Sequence, residues 1–512
     1  MTPNNARPSS RIQAWIFLVA TIVLAAFFSI LPVQCDLSPG KLYTVSPFSE
    51  ETLSSLESEV AVTWYRSRDL ERMTPAIGYI DSFLEAYRAA SHGRLSYTVR
   101  DPSLQDSAAT IERLGIVPRQ TSVRGKDGTS IKTLYSGLVI EYQGDYRAIP
   151  FLLDAKSLEY DLTRIVLDLA RPRTAETDAF REIQVIVGNF SLKADYRYLD
   201  AWLSYAGFNP RRLSYPLETL DPRKKLLVLG SSNLDDMTVD AIRSFLEKGG
   251  SGLFFVSGNE IGATGDWKAR PKIADPLISL LASRGIAPEN GIVMDVLGFT
   301  VTLPSLDNSR YAEIEYPFWV TVPRAGFASG HPIFSGIERL QFFWPSPIAT
   351  VRASPRIEAL SRATSRARIM VEPFDTNPFG NQKELLSGER AGNGTVSAPA
   401  LTLVAASSEA GRVVVIGDEW FPSTVLDYTG NEDNLDFAVN CVEWMSGEER
   451  LLALKRRSGP DDLTAESAPE SGVGARKARS ALQRARALNL VAIPALLVSF
   501  IAIVTVTKRR KR

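Results

Sequence analysis

The chain is poor in sulfur and imidazole. Its 512 residues include two cysteines, Cys35 and Cys441, and two histidines, His92 and His331. A structural zinc site needs four such ligands close together, so none can be assembled, and no metal or cofactor is expected. Cys35 adjoins an apolar run and Cys441 falls on an expected helix, so no structural disulfide is expected either. Net charge is also absent, because 58 Lys and Arg offset 58 Asp and Glu. That balance removes the electrostatic case for a nucleic-acid partner. The sequence has no P-loop, no G-x-S-x-G nucleophile elbow and no internal repeat, and no catalytic residue is expected.

What the chain does have is two long apolar runs. Residues 14–33, AWIFLVATIVLAAFFSILPV, carry no charge, and about 20 residues at roughly 1.5 Å each span a bilayer core of about 30 Å. The run lacks a small-x-small cleavage site and reads as a transmembrane helix, not a signal peptide. Residues 488–507 form a second run, interrupted at Pro494 and followed by Lys508-Arg509-Arg510-Lys511-Arg512. Arg7 and Arg11 precede the first run. By the positive-inside rule the N-terminus (1–13) and the basic tail (508–512) are both expected in the cytoplasm. The region between the runs is then extracytoplasmic, and the protein is a two-pass inner-membrane protein.

The intervening region alternates strand and helix signals. VAVTWY at 60–65, a helix capped by Thr74 and running through Tyr87, LSYTV at 95–99, a helix at 104–114, a hairpin turning at Gln143-Gly144-Asp145, and a helix from Ser157 to Ala170 follow in order. That order is thioredoxin-like, and residues 48–172 are read as such a domain. The domain has no cysteine, which excludes thiol redox chemistry. A second α/β series spans residues 182–447. Its strands are expected at 183–187, 226–229, 253–256, 401–405 and 413–416. A helix capped by Asp236 or Thr238 lies among them, and a long insertion runs from about 258 to 400. The apolar runs without alternation fit strands of a parallel, doubly wound sheet buried on both faces. Residues 448–487, charged and poor in aromatics, read as a flexible linker.

The last strand, Val413–Ile416, stops at Gly417. Open α/β sheets bind ligands beyond the carboxyl ends of their strands, which singles out Asp418, Glu419 and Trp420 as candidate ligand- or partner-binding residues. Asn434, at the start of the following helix, joins them. For Asp418 and Asn434, turn and helix capping are the competing structural roles. On that helix Asp436, Asn440 and Glu443 are expected on the polar face. A hydrolase reading would need Ser257 and His331 adjacent, with Asp418 as third member. A glycan-binding reading would need Trp319, Trp344 and Trp420 exposed in one cleft.

Several segments carry a family resemblance. They are DLSPGKLYTVS (36–46), Asp101-Pro102 before a helix ending Leu114-Gly115-Ile116, GRVVVIGDEWF (411–421), DNLDFAVNCVEW (433–444), and the terminal run with Pro494 and its basic tail. Together they resemble the gliding-motility-type (Gld) auxiliary component of ABC transport systems. The resemblance implies that the second domain is similar to class I glutamine amidotransferases without their nucleophile. It further implies a non-catalytic subunit working beside an ABC-2-type permease and an ATPase; the exported domains are expected to bind substrate or an envelope partner.

Overall fold

The computed structural model describes residues 44–455, except residues 75, 103–107, 126–127, 154–156, 173, 190–194, 263–266, 306–309, 351–353, 355, 381–394 and 398–400. The apolar runs at 14–33 and 488–507 lie outside the described residues. No helix among the described residues is long and apolar enough to cross a membrane.

The first domain opens with α1 (Pro47–Ser54), β1 (Val60–Arg66), the short α2 (Leu70–Met73), α3 (Ala76–Ala90), β2 (Leu95–Arg100) and α4 (Ala108–Arg113). Then come β3 (Arg119–Gly125), β4 (Gly128–Leu134), β5 (Ser136–Tyr142), β6 (Asp145–Ile149) and α5 (Leu158–Ala170). Four strands form one sheet in the order β2-β1-β5-β6. β1 runs parallel to β2 and antiparallel to β5, and β5 runs antiparallel to β6. The expected hairpin forms because Gln143 and Gly144 both adopt positive φ, 52° and 88°, the geometry of a two-residue turn that matches strand twist. The β3–β4 hairpin is an element that the sequence reading missed. Its strands, RQTSVRG and GTSIKTL, pair with each other and join no larger sheet, so they carry little of the apolar alternation that marks a strand.

The second domain starts with α6 (Ala175–Arg181), a helix at the expected boundary, opened by a reciprocal Thr174–Thr177 capping box. It continues with β7 (Glu182–Val187), α7 (Arg197–Tyr205), β8 (Asn209–Arg212), β9 (Lys225–Leu229), α8 (Asp236–Glu247) and β10 (Gly252–Phe255). The insertion contributes α9 (Pro276–Ser283), β11 (Gly298–Pro304), β12 (Tyr311–Pro323) and β13 (Arg339–Phe343), plus short strand pairs. The chain then returns through β14 (Ile357–Arg362), β15 (Thr402–Ser407), β16 (Val413–Ile416), α10 (Asp433–Met445) and α11 (Glu449–Lys455). The seven-stranded sheet has the order β14-β15-β16-β10-β9-β7-β8. Its last five strands in that order are mutually parallel, while β14 and β15 close one edge antiparallel.

Alternate residues along each central strand enter different cores. Leu227, Leu253, Phe255, Val414 and Ile416 pack with α7 and α10, whereas Leu226, Val228, Phe254, Val413 and Val415 pack with α8 and α9. Both faces of the sheet are thus covered by helices, which is why its strands read as unbroken apolar runs. One capping assignment, that of α8, differs from the expected Asp236 or Thr238. α8 is capped by Asp235, whose side chain accepts from Thr238 N, and α9 by Asp275, which accepts from Leu277 N and Ile278 N.

α5 joins the domains. Every residue from Leu158 to Val166 is buried, including Glu159, Asp161 and Arg164. Glu159 accepts from Ser46 N at 2.6 Å and Ser49 Oγ at 2.9 Å, and Thr163 bonds the Tyr87 hydroxyl at 2.9 Å. On another side Tyr160 packs with Leu451 and Leu454 of α11. Arg450 of α11 in turn pairs with Glu51 and lies 4.5 Å over the Phe48 ring, so the start and end of the described chain meet. The linker expected from residue 448 therefore begins with a packed helix, because Leu451, Leu452 and Leu454 supply it with an apolar face. For the same reason Asn440 and Glu443 of α10 are buried and not on a wet face: α11 and α5 cover them.

Candidate functional site

Each central parallel strand ends in a short polar loop containing glycine: Gly188-Asn189 after β7, Gly230-Ser231 after β9, Ser257-Gly258-Asn259 after β10 and Gly417-Asp418-Glu419 after β16. At two of these ends the insertion presses on the backbone. A Cβ on Gly417 would stand 2.2 Å from Ser346 O, and one on Gly258 would stand 2.2 Å from Glu289 O. Ser346 ties the ends together: its Oγ accepts from Gly258 N at 2.8 Å and Asn259 Nδ2 at 3.0 Å, and its N donates to Gly417 O at 2.6 Å. The crevice beyond β10 and β16 is filled by the protein's own chain.

Asp418 is wholly buried there. Its Oδ2 accepts from Phe343 N at 2.6 Å and its Oδ1 from Trp420 N at 2.7 Å. Burial pushes its carboxyl well above the usual carboxylate range, and these backbone donors only partly offset it. Asn434 sits one residue into α10, not at its cap, and works the same strand. Its Oδ1 accepts from Gln341 N at 2.9 Å, and its Nδ2 donates to Gln341 O at 2.6 Å and Phe421 O at 2.9 Å. The neighbouring Asp433 accepts from Glu338 N at 3.1 Å and Arg339 N at 3.0 Å. Gln341 also faces Thr321 of β12 in the strand register. Three side chains therefore satisfy N–H groups at positions 338, 339, 341 and 343, at the start of β13 and along its edge that no strand among the described residues pairs. An unsealed edge of that kind invites pairing with another chain.

Glu419 belongs to a different cluster, near the point where the strand order reverses between β7 and β9, the usual ligand position in such sheets. Its Oε2 accepts from Lys272 Nζ at 2.8 Å, with both side chains nearly buried at 2% and 6% exposure. Lys272 also donates to Ser231 Oγ at 3.2 Å, and Ser231 donates to Asp275 Oδ2 at 2.5 Å. The Tyr196 hydroxyl donates to Glu419 O at 2.8 Å. Burial pushes the Glu419 carboxyl up, and Lys272 pulls against it. The set is a buried, mutually paired network of hydroxyl, ammonium and carboxylate groups. The sequence reading missed Ser231, Lys272 and Asp275, although the rule that selected Asp418 also selects Ser231, one residue past a strand-end glycine.

The remaining sequence candidates are not brought together. Ser257 Oγ accepts from Glu419 N at 3.0 Å. The His331 ring lies 5.3 Å from that of Trp444, whose carbonyl is bonded by Arg412 at the amino-terminal end of β16, across the sheet from Ser257. Trp319, Trp344 and Trp420 do share one cluster, with ring centroids 5.6 and 6.0 Å apart along the chain of contacts, but all three are buried. Among the described residues no group of three or more His, Cys, Asp or Glu could hold a metal ion.

The family model described as an ABC-type uncharacterized transport system matches residues 181–441. The chain belongs to this family. The match begins at the end of α6, immediately before β7, and ends within α10, so for this transport-auxiliary family the insertion is part of the domain. Residues 39–141 match a domain of unknown function that runs from before α1 to the end of β5. An uncharacterized protein of Borreliella burgdorferi is 22% identical over 513 residues, covering 96% of this chain and 97% of that protein. The likeness therefore extends through both domains.

Proposed function

We propose that the protein is a non-catalytic auxiliary subunit of an ABC transport system, anchored in the inner membrane by residues 14–33 and 488–507, with its α/β domains outside the cytoplasm. The family match across the second domain carries the reading. In support, the β2-β1-β5-β6 order and strand senses are those of a thioredoxin-like fold, here without a thiol. The parallel order β8-β7-β9-β10-β16 has the pattern 2-1-3-4-5 of a doubly wound domain, consistent with an amidotransferase-like ancestor without a nucleophile. Asp418 and Asn434 serve the fold, whereas the Ser231/Lys272/Asp275/Glu419 set is the region that engages substrate or an envelope ligand. The partners are an ABC-2-type permease and its ATPase, held partly by the membrane segments.

The test is recovery of partners from crosslinked membranes. The tagged protein is expected to bring down an ATPase and a permease, and a phenylalanine at Ala495 is expected to weaken that recovery while leaving the domains folded. Small residues Ala492, Ala495 and Ser499 recur at the spacing that helix pairing in lipid uses. A wild-type protein that comes down without either partner would sink the subunit reading.

A further inference from the structure

Both ends of the described chain reach one pole of the first domain. Leu152, just ahead of α5, donates to Ser136 O, and Ser136 pairs with Arg66, the last residue of β1, so α5 begins at the carboxyl end of β1. Ser46 N reaches Glu159 in the first turn of α5, and the ammonium of Lys455, the last residue of α11, lies 4.1 Å over the Tyr160 ring in the same turn. The apolar run that ends at residue 33 lies eleven positions before Thr44, so at most about 40 Å of chain separates its end from this pole.

The surface of that pole is unlike the rest of the domain. Of the six large apolar side chains that the described residues of this domain expose, five belong to it: Met73, Val99, Val117, Ile131 and Leu153. Tyr146, at the far end of β6, is the sixth. Met73 closes the short helix after β1, Val99 pairs with Trp64 near the end of β1, Val117 N donates to Pro150 O just past β6, and Leu153 adjoins Leu152. Ile131, 75% exposed, stands on the β3–β4 hairpin. β4 ends one residue before β5 begins, so the hairpin leaves the sheet at this pole, and its seven-residue strands give it about 24 Å of reach. Exposed apolar residues scattered singly need no explanation, but gathered in one place they mark a contact surface.

The hairpin is also basic. Its strands carry Arg119, Arg124 and Lys132 and no acidic residue. Lys132 pairs with Asp69 at 2.6 Å, while Arg66 and Arg68 engage Glu71 and Asp101, so Arg119 and Arg124 add positive charge beyond those pairs. We propose that this pole rests on the bilayer, with Ile131 and its apolar neighbours in the interfacial layer and the hairpin arginines on the phosphates of anionic lipids. The proposal rests on the reading of residues 14–33 and 488–507 as membrane spans. A protein partner could cover the same apolar side chains, but the short tether to residue 33 and the surplus of cations favour lipid.

The test uses the full-length chain reconstituted in vesicles of phosphatidylcholine, with or without an equal share of phosphatidylglycerol. In a Cys35→Ser background, Ile131→Cys carries an environment-sensitive fluorophore, and the remaining Cys441 is buried. In the mixed vesicles nitroxide-bearing lipid is expected to quench the probe, and salt on the order of 1 M, which cuts the screening length to about 3 Å, should weaken that quenching. Val117→Cys should report the same contact and Tyr146→Cys none. Adding Arg124→Gln should weaken the contact by about fivefold, the worth of one cation at an anionic surface. Equal quenching at positions 131 and 146, or none at 131, in a chain that floats with the vesicles overturns the proposal and leaves the anchoring reading standing. A chain that does not float overturns both. A probe at 131 that is sheltered from acrylamide in native membranes but not in vesicles assigns the face to a protein partner and overturns the lipid contact.

Discussion

Single side chains in this protein replace the work of a neighbouring strand. Asn434 makes three backbone hydrogen bonds, two of them to one residue of β13. Asn434→Ala leaves those buried groups unsatisfied and is expected to cost about 2–4 kcal/mol in urea unfolding, whereas Asp433→Ala, on a wetter edge, should cost under about 1 kcal/mol. Equal losses in the two variants would contradict the clamp. The Lys272–Glu419 pair makes a second residue-scale prediction. Lys272→Met strands a buried carboxylate and should cost about 3–5 kcal/mol, while adding Glu419→Gln should recover most of it. Non-recovery in the double variant would show that the cost lies in packing. The DEWF and DNLD segments were legible as important and not as clamps, because Asn434 and Gln341 are 93 positions apart in the chain. Nothing in a motif names the strand it will hold.

Glycines divide the elements into those pressed by neighbours and those left open. Gly417 has Ser346 O within 2.2 Å of its missing Cβ, so Gly417→Ala must displace backbone and is expected to lower stability by at least about 2 kcal/mol. Gly78 lies inside α3 with nothing within 4 Å, so Gly78→Ala should raise stability by about 0.5–1 kcal/mol. Thermal melts of the two variants should move in opposite directions. The helices and parallel strands were readable because burial on one helix face or on both strand faces writes a period into the sequence. β8, with sequence NPRR, was not: it lies at the sheet edge, largely exposed, and has no apolar alternation. The insertion stayed obscure for a related reason. Its strands pair antiparallel with partners often far along the chain, β14 among them with β15 of the main sheet, and it caps the strand ends of that sheet, a role without a sequence period.

The molecule as a whole holds several carboxyls out of water. Burial pushes Asp161, Asp418, Glu419 and Glu443 above the ordinary range, so the folded state binds their protons more tightly than the unfolded chain. Their stability contribution is complete below about pH 4 and declines as pH rises. Asp221 acts in the opposite sense: Arg223 holds it down to about 2, and that contribution is lost only in strong acid. Lys225, lowered to about 8 by burial, makes stability recover from about pH 8 toward the amine's ordinary 10.5. Melting temperatures are expected to be higher at pH 5.5 than at pH 7.5, and a flat or rising profile over that interval would refute the burial account. The meeting of the two ends of the described region also has a mechanical side. A pull that separates the two ends falls first on Arg450 against Glu51 and Phe48, where contacts break singly and in succession, and not on the parallel strands in shear. The folded region should thus give way at its clasp under small force and keep both sheets whole, as a fuse yields before the circuit behind it.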